Sequence, residues 1–378
     1  MIALDEDRIM LRDSARGFLA EKSPVSALRR LRDTKDKDGF DRDLWRGMKD
    51  MGWTGILIDE ANGGSDFGHV GMALVCEEMG RTLTASPFLS TAVMAATAIR
   101  RGGNDEQKKK WLPAISDAKA IIALAVDEGR KHAPEGIALK AEMAGNAFKL
   151  NGEKSFVVDG HVADSILVAA RVEGEPGNKE GIALFLVDAK SPGITIERVT
   201  SVDSRNNARI RFDNVNATGA DALGETGKAY GLLENALNAG RAGVSAEMLG
   251  IAGESFERTV AYLKERKQFG KAIGEFQALQ HRAAHLFGEI ELLRSLVLAA
   301  CVALDKNPDG AGTAVSAAKF KACETAKLAV SEAVQMFGGM GMTDEIDAGL
   351  FMKRARVTQE FLGDAYFHAD RFALSQKF

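Results

Sequence analysis

Few of the reactive side chains in this sequence stand at a spacing that makes chemistry by itself. His281 and His285 are four residues apart, one helical turn, and could hold a metal ion. No carboxylate-bearing HExxH pattern accompanies them, so solvated or structural histidines are the better reading. Ser155 and Ser245 lack the setting of a nucleophile elbow. Gly338-Gly339-Met340-Gly341 is rich enough in glycine to bring backbone N–H groups near a ligand, yet it follows a helical stretch rather than a strand. That order argues against a Rossmann pyrophosphate site. Cys76, Cys301 and Cys323 are too few and too scattered for a zinc cluster or a disulfide framework, and all sit in apolar helical patterns. Lys108-Lys109-Lys110 reads as a solvated helix face.

The elements that must position any such group fall into three blocks. Residues 1–118 repeat apolar side chains at helical spacing, as in Leu4, Ile9, Leu11, Ala15, Phe18 and Leu19. In 119–221 the period shortens to apolar runs bounded by turn residues, such as 121–126, 165–170 and 181–187. Alternation marks 194–199 and 208–212. In 222–378 the helical period returns in long runs, 230–265, 275–305 and 311–337. The pattern predicts an α+β protein: an N-terminal helical domain, a middle antiparallel β domain and a C-terminal helical bundle. No strand–helix–strand alternation supports a doubly wound nucleotide fold.

Composition narrows the class. A net charge of −4 from 49 basic and 53 acidic residues argues against a protein built to neutralise nucleic-acid phosphates. With 46% hydrophobic and 27% charged residues the chain reads as globular, and 39 Gly against 3 Tyr and 3 Trp points to close backbone approaches rather than aromatic surfaces. The first residues are amphipathic and acidic, unlike a secretory leader, and no apolar run approaches the ~20 residues of a membrane span. The expected compartment is the cytoplasm.

Taken together, this order and several strings resemble the acyl-CoA dehydrogenase flavoprotein family over essentially the whole chain. The strings are Arg266-Lys267-Gln268-Phe269-Gly270 with Ile273, Phe276-Gln277 and Gln280, and Gln335-Met336-Phe337-Gly338-Gly339-Met340-Gly341-Met342-Thr343. Weaker ones are Gly63-Gly64-Ser65, Glu77-Glu78-Met79-Gly80-Arg81 and Asn151-Gly152-Glu153-Lys154. The resemblance implies FAD as cofactor, an acyl-CoA substrate and electron transfer flavoprotein as partner. It assigns Arg266 to the flavin pyrophosphate, with Gln268, Phe269, Phe276 and Gln277 nearby. Gln335, Phe337, Gly338 and Gly339 fall on the adenosine half. A permanently charged planar arginine suits a diphosphate. In the family these strings serve a flavin held mainly by a neighbouring subunit, so a homo- or hetero-oligomer is implied.

On the sheet domain the resemblance assigns flavin contacts to Leu124 and Val126, in the segment leading to Asp127-Glu128, and to Phe156 and Val158. The family's Trp-Ile-Ser/Thr string is here Phe156-Val157-Val158, which keeps an aromatic ring and loses a hydroxyl. Its Thr-Glu-Pro loop is Asp127-Glu128-Gly129, followed by Arg130-Lys131-His132 in place of small residues. Asp364 falls in a further flavin-contact segment, and Arg241 and Asn238 match substrate contacts.

The family's reaction needs a carboxylate to take the proton beside a thioester carbonyl. In most members it is a glutamate preceding a glycine near the C-terminus. Here Leu362 precedes Gly363. A second family branch places the base beside the arginine matched by Arg241, where this chain has Gly240. Both usual homes of the base are empty. Three readings follow. The chain is a base-lacking subunit paired with a glutamate-bearing homologue, as among bacterial members acting on steroid side chains or dicarboxylic acyl-CoAs. Alternatively Asp364, Glu360 or Glu247 serves as base in a homo-oligomer, or the fold performs monooxygenase or oxidase chemistry.

Overall fold

The computed structural model describes residues 4–378, and in it helices, a sheet and a helical bundle follow one another along the chain. The N-terminal region holds α1 (Glu6–Lys22), α2 (Val25–Thr34), α3 (Arg42–Asp50), α4 (Gly68–Thr82), α5 (Ala96–Gly102) and α6 (Asp105–Ser116). Side-chain caps set several of their starts. Asp5 accepts from the Arg8 N–H, Asp41 from those of Asp43 and Leu44, and Asn104 and Gln107 form a reciprocal capping box.

Eight strands follow: β1 (Ile122–Ala125), β2 (Lys140–Ala144), β3 (Ala147–Val158), β4 (Ser165–Arg171), β5 (Ile182–Asp188), β6 (Ile194–Thr200), β7 (Asn206–Thr218) and β8 (Ala222–Leu223). They form one sheet in the order β6-β7-β3-β2-β4-β5-β8, with β1 beside β4. All ladders are antiparallel except β1 with β4 and the single Lys140–Arg171 pairing. β4 is buried along its whole length, matching its unbroken apolar sequence. Phe148 and Phe185 meet in the sheet's core with ring centroids 5.1 Å apart.

The sequence pattern marks no strand at β2 or β3. Both carry lysine and glutamate on their open face, and only alternate residues such as Phe148 and Leu150 turn inward. A tight turn with Gly145 at φ +65° joins them, a conformation glycine adopts without strain.

The C-terminal region holds α7 (Tyr230–Glu265), α8 (Gln277–Lys306), α9 (Gly312–Phe337), α10 (Ala348–Glu360) and α11 (Ala365–Ser375). A two-stranded hairpin, β9 (Lys267–Gln268) and β10 (Lys271–Ala272), lies between α7 and α8. The three long helices fall within two residues of the periodic runs read from sequence.

The chain divides into two compact units. One comprises the segment ending at Arg30, His69–Thr84 and Arg241–Phe378; the other comprises Leu31–Gly68 and Ala85–Gly240. Within the first, α4 crosses α7 at backbone contact. A Cβ on Gly80 would overlap the Glu247 carbonyl, and one on Gly250 would overlap that of Glu77. Ion pairs flank this crossing: Arg16 to Glu78 at 2.8 Å, Arg81 to Glu254 at 2.8 Å and Arg294 to Glu77 at 2.6 Å. Among the described residues no helix is long and apolar enough to cross a membrane.

Candidate functional site

The residues singled out by sequence fall at three places. The first is the joint between α10 and α11. Leu362 there has φ +61° and is 5% exposed, and Gly363 follows at φ +107°. Leucine rarely adopts the left-handed region, so the surroundings must hold it. Arg241, fully buried on α7, donates through Nε to the Leu362 carbonyl at 3.2 Å. Its guanidinium lies 5.5 Å from the Phe367 ring centroid. His368 Nε2 donates to the same carbonyl at 3.1 Å, leaving Nδ1 facing the Ser316 hydroxyl at 3.4 Å.

Lys319 completes the joint. Its ammonium, fully buried on α9, donates to the carbonyls of Thr358 (3.0 Å), Gln359 (3.2 Å) and Gly363 (3.0 Å). These are orphan carbonyls at the end of α10 and one on the far side of Leu362, so one cation ties both flanks of the turn. Burial pushes the Lys319 amine below its ordinary pKa. Burial, with Arg241 and Lys319 close by, drives His368 far below the usual imidazole value, so it is neutral. Burial raises the Cys323 thiol, which sits 3.3 Å from the Lys319 nitrogen.

The carboxylates near this joint are engaged. Asp364 is the N-cap of α11, accepting from the Phe367 N–H at 2.8 Å. Glu247 pairs with Arg354 at 3.0 Å, both buried, and Glu360 pairs with Arg356 on the α10 surface. Asn238 lies one turn before Arg241 on α7 and is buried. Sequence reading did not single out Lys319 or His368. A lysine in a helical stretch carries no sign that three carbonyls from another helix end surround it.

The second place is the end of α7. Phe337 stacks on Tyr262 with centroids 4.4 Å apart, which brings the Gln335–Gly339 turn to the helix end that Arg266 follows. Arg266 is exposed, and among the described residues its guanidinium has no partner. Phe269, at the hairpin tip with φ +56°, is 90% exposed; its ring meets Phe276 edge-on at 6.2 Å. Lys271 stands over the Phe276 ring at 4.2 Å. Gln277 opens α8, and the Gln268 amide donates to the Lys267 carbonyl. A Cβ on Gly338 or Gly339 would meet nothing, so the turn's backbone is open. An unpaired arginine, the exposed Phe269 ring beside the half-buried Phe276 and an open glycine backbone fit the diphosphate and rings of a dinucleotide.

The third place is on the sheet, at the C-terminal ends of β1 and β3. Leu124 and Val126 are buried at the end of β1. Phe156 sits at an irregularity in the β3–β7 ladder, with φ +53° and its ring 56% exposed. Val158 is buried and offers no donor where a hydroxyl would serve a flavin. A bare aromatic face in a strained strand suits a flat ring system.

Three family models match the chain in succession: acyl-CoA dehydrogenase N-terminal domain over residues 5–119, middle domain over 132–215 and C-terminal domain over 230–373. The caffeyl-CoA reductase–Etf complex subunit CarC of Acetobacterium woodii is 30% identical, covering 93% of each chain. The structure of butyryl-CoA dehydrogenase from Megasphaera elsdenii superposes with a TM-score of 0.91 at 26% identity, covering 100% of both chains. A chain of the ChsE4-ChsE5 complex from Mycobacterium tuberculosis gives 0.89 at 25% identity, covering 99% of this chain and 98% of that one. The chain belongs to the acyl-CoA dehydrogenase family, FAD-dependent oxidoreductases that act on CH–CH bonds.

Proposed function

We propose that this chain is the base-lacking subunit of a heteromeric acyl-CoA dehydrogenase, which works beside a glutamate-bearing homologue. One observation carries the reading. Leu362, an aliphatic side chain, stands at the joint where the resemblance calls for a carboxylate, and the neighbouring carboxylates are tied up as a helix cap and in ion pairs. Leucine has no group that can accept a proton, and a carboxylate used as a helix cap is held on backbone N–H groups. The likeness to a chain of the ChsE4-ChsE5 complex supports a paired assembly.

FAD, when bound, supplies the hydride acceptor for the oxidation. This chain's own residues have binding and orienting roles. Arg266 offers a planar cation to the flavin diphosphate, and Gly338 and Gly339, just after Gln335 and Phe337 at the end of α9, offer open backbone. Phe269, Phe276 and Gln277 flank them on the hairpin, where a neighbouring subunit's flavin would complete the site. Phe156 supplies a ring face, and Leu124 on β1 and Val126 just after it are the further flavin contacts that the resemblance assigns. Arg241, with Asn238 one turn away, holds the joint and faces the acyl-CoA thioester. Electron transfer flavoprotein is the proposed electron acceptor, supported by the likeness to an Etf complex subunit.

The test is turnover of an acyl-CoA with an artificial electron acceptor. The purified chain should show little; co-expression with a homologue that bears glutamate at the Leu362 position should restore it. Robust turnover by this chain alone would sink the reading.

A further inference from the structure

We propose that Arg130 and Lys131 form a phosphate-binding point for a nucleotide ligand, on the loop whose start is bonded to Ser155, the chain neighbour of Phe156. Both side chains are exposed at the tip of the loop that follows β1, and among the described residues neither makes a hydrogen bond or an ion pair. Other cations of this region are committed. Lys154 donates to the Val126 carbonyl at 2.9 Å and to Glu128 at 2.6 Å. Arg171 is buried and spends its guanidinium on the carbonyls of Glu135, Ile137, Asn178 and Glu180.

Local charge bookkeeping leaves the pair uncompensated. The two acids that precede it face away from it in function. The Glu128 carboxylate caps the Ala138 and Leu139 N–H groups, each at 2.9 Å, while neutralising Lys154. Asp127 takes both of its close contacts from His132 Nδ1, at 2.9 and 3.0 Å. What remains at the tip is two adjacent positive charges.

The loop is also held still. Asp127 and Glu128 anchor its two sides, and the Asp127 carbonyl accepts from the Ser155 N–H at 2.7 Å. That last bond fixes the start of the loop one residue from Phe156, whose positive φ and open ring are themselves unusual for a strand. A pre-ordered guanidinium and ammonium lose little freedom on binding an anion. A pair of cations on a loop anchored next to a bare aromatic residue matches a phosphate joined to a heteroaromatic ring. Two ligands of the proposed function share that chemistry: FAD through its diphosphate, and coenzyme A through its diphosphate and 3′-phosphate. The inference rests on that proposed function for the presence of such ligands.

The experiment compares the full-length wild type with Arg130→Ala/Lys131→Ala, and with Arg130→Lys/Lys131→Arg as the charge-conserving control. FAD affinity is read on the flavin-stripped chain by flavin fluorescence. Affinities for coenzyme A and for dephospho-coenzyme A are read on the FAD-loaded chain by calorimetry. The alanine pair should weaken at least one ligand about tenfold or more, with the loss shrinking at high salt and the conservative pair restoring it. A loss for FAD assigns the flavin diphosphate. A loss for coenzyme A but not for its dephospho form assigns the 3′-phosphate, and a loss for both assigns the coenzyme's diphosphate. Wild-type binding with all three affinities within twofold in the alanine pair overturns the inference alone. Wild type that binds none of the three overturns the proposed function and the inference with it.

Discussion

Arg241 Nε and His368 Nε2 converge on one acceptor, the carbonyl of Leu362, at 3.2 and 3.1 Å. The backbone at Leu362, where the proposed reading looks for a catalytic carboxylate, is thus held in a buried, cation-rich frame. If the frame is intact, the side chain is the missing part. Leu362→Glu should then raise acyl-CoA oxidation by the chain alone by about 10²-fold, the ordinary contribution of a general base. Leu362→Gln, of the same size but without basicity, should stay at the wild-type level. Equal rates for both variants would refute the idea that the base is all that is lacking.

The Lys319 ammonium saturates its three N–H donors on carbonyls either side of the same turn. Lys319→Met keeps the apolar stem and strands those carbonyls. It should cost about 3 kcal/mol in urea unfolding, since each buried group left unpaired carries a penalty. A change below about 1 kcal/mol would show that the turn does not need the cation.

His368 is buried and neutral, with its pKa depressed by burial and by the two cations. The unfolded chain takes up a proton near the ordinary value of ~6.5, which the folded chain refuses. This contribution to stability is therefore full above that pH and is lost as pH falls below it, by up to about 1.4 kcal/mol per unit. Denaturant midpoints between pH 7 and 5 should fall more steeply for wild type than for His368→Gln. Parallel slopes would contradict the assignment.

Gly80 meets the Glu247 carbonyl where α4 crosses α7. Even one methyl group there must push backbone from backbone. Gly80→Ala should lose about 2 kcal/mol, despite alanine's better helix propensity. Gly17→Ala, on the open side of α1 with nothing near its Cβ, should be neutral or slightly stabilising. Thermal unfolding of the two variants side by side checks this.

Phe156 offers a bare ring near the end of β3. Phe156→Ala should weaken FAD retention about tenfold, read as the flavin released on gel filtration. Retention equal to wild type would remove this ring from the cofactor site.

The fold was legible where burial is continuous or strictly periodic. The long runs of α7, α8 and α9 declare themselves because one face repeats over many turns, and β4 does so because both its faces are covered. β2 and β3 escaped because their open faces are charged and their inward residues too sparse to show alternation. At the candidate site, the motif residues Arg266, Phe269 and Gly338 were visible as strings, and Leu362 was visible as the residue standing where the resemblance expects a carboxylate. The supports of that joint were not. Lys319 and His368 depend on helix ends that meet only after folding, whereas the helix cap at Asp364 is local to its own turn and within reach of the sequence.

Under the proposed pairing, the hairpin after α7 has a bearing on the life of the chain before it meets the proposed partner. Its tip presents Phe269 almost bare, with Met342 also exposed at the end of the glycine turn. A newly made chain with no companion carries these sticky side chains into a crowded solution, where they invite self-association and early cleavage by proteases. If the proposed companion covers them, the abundance of this protein should follow that of the companion.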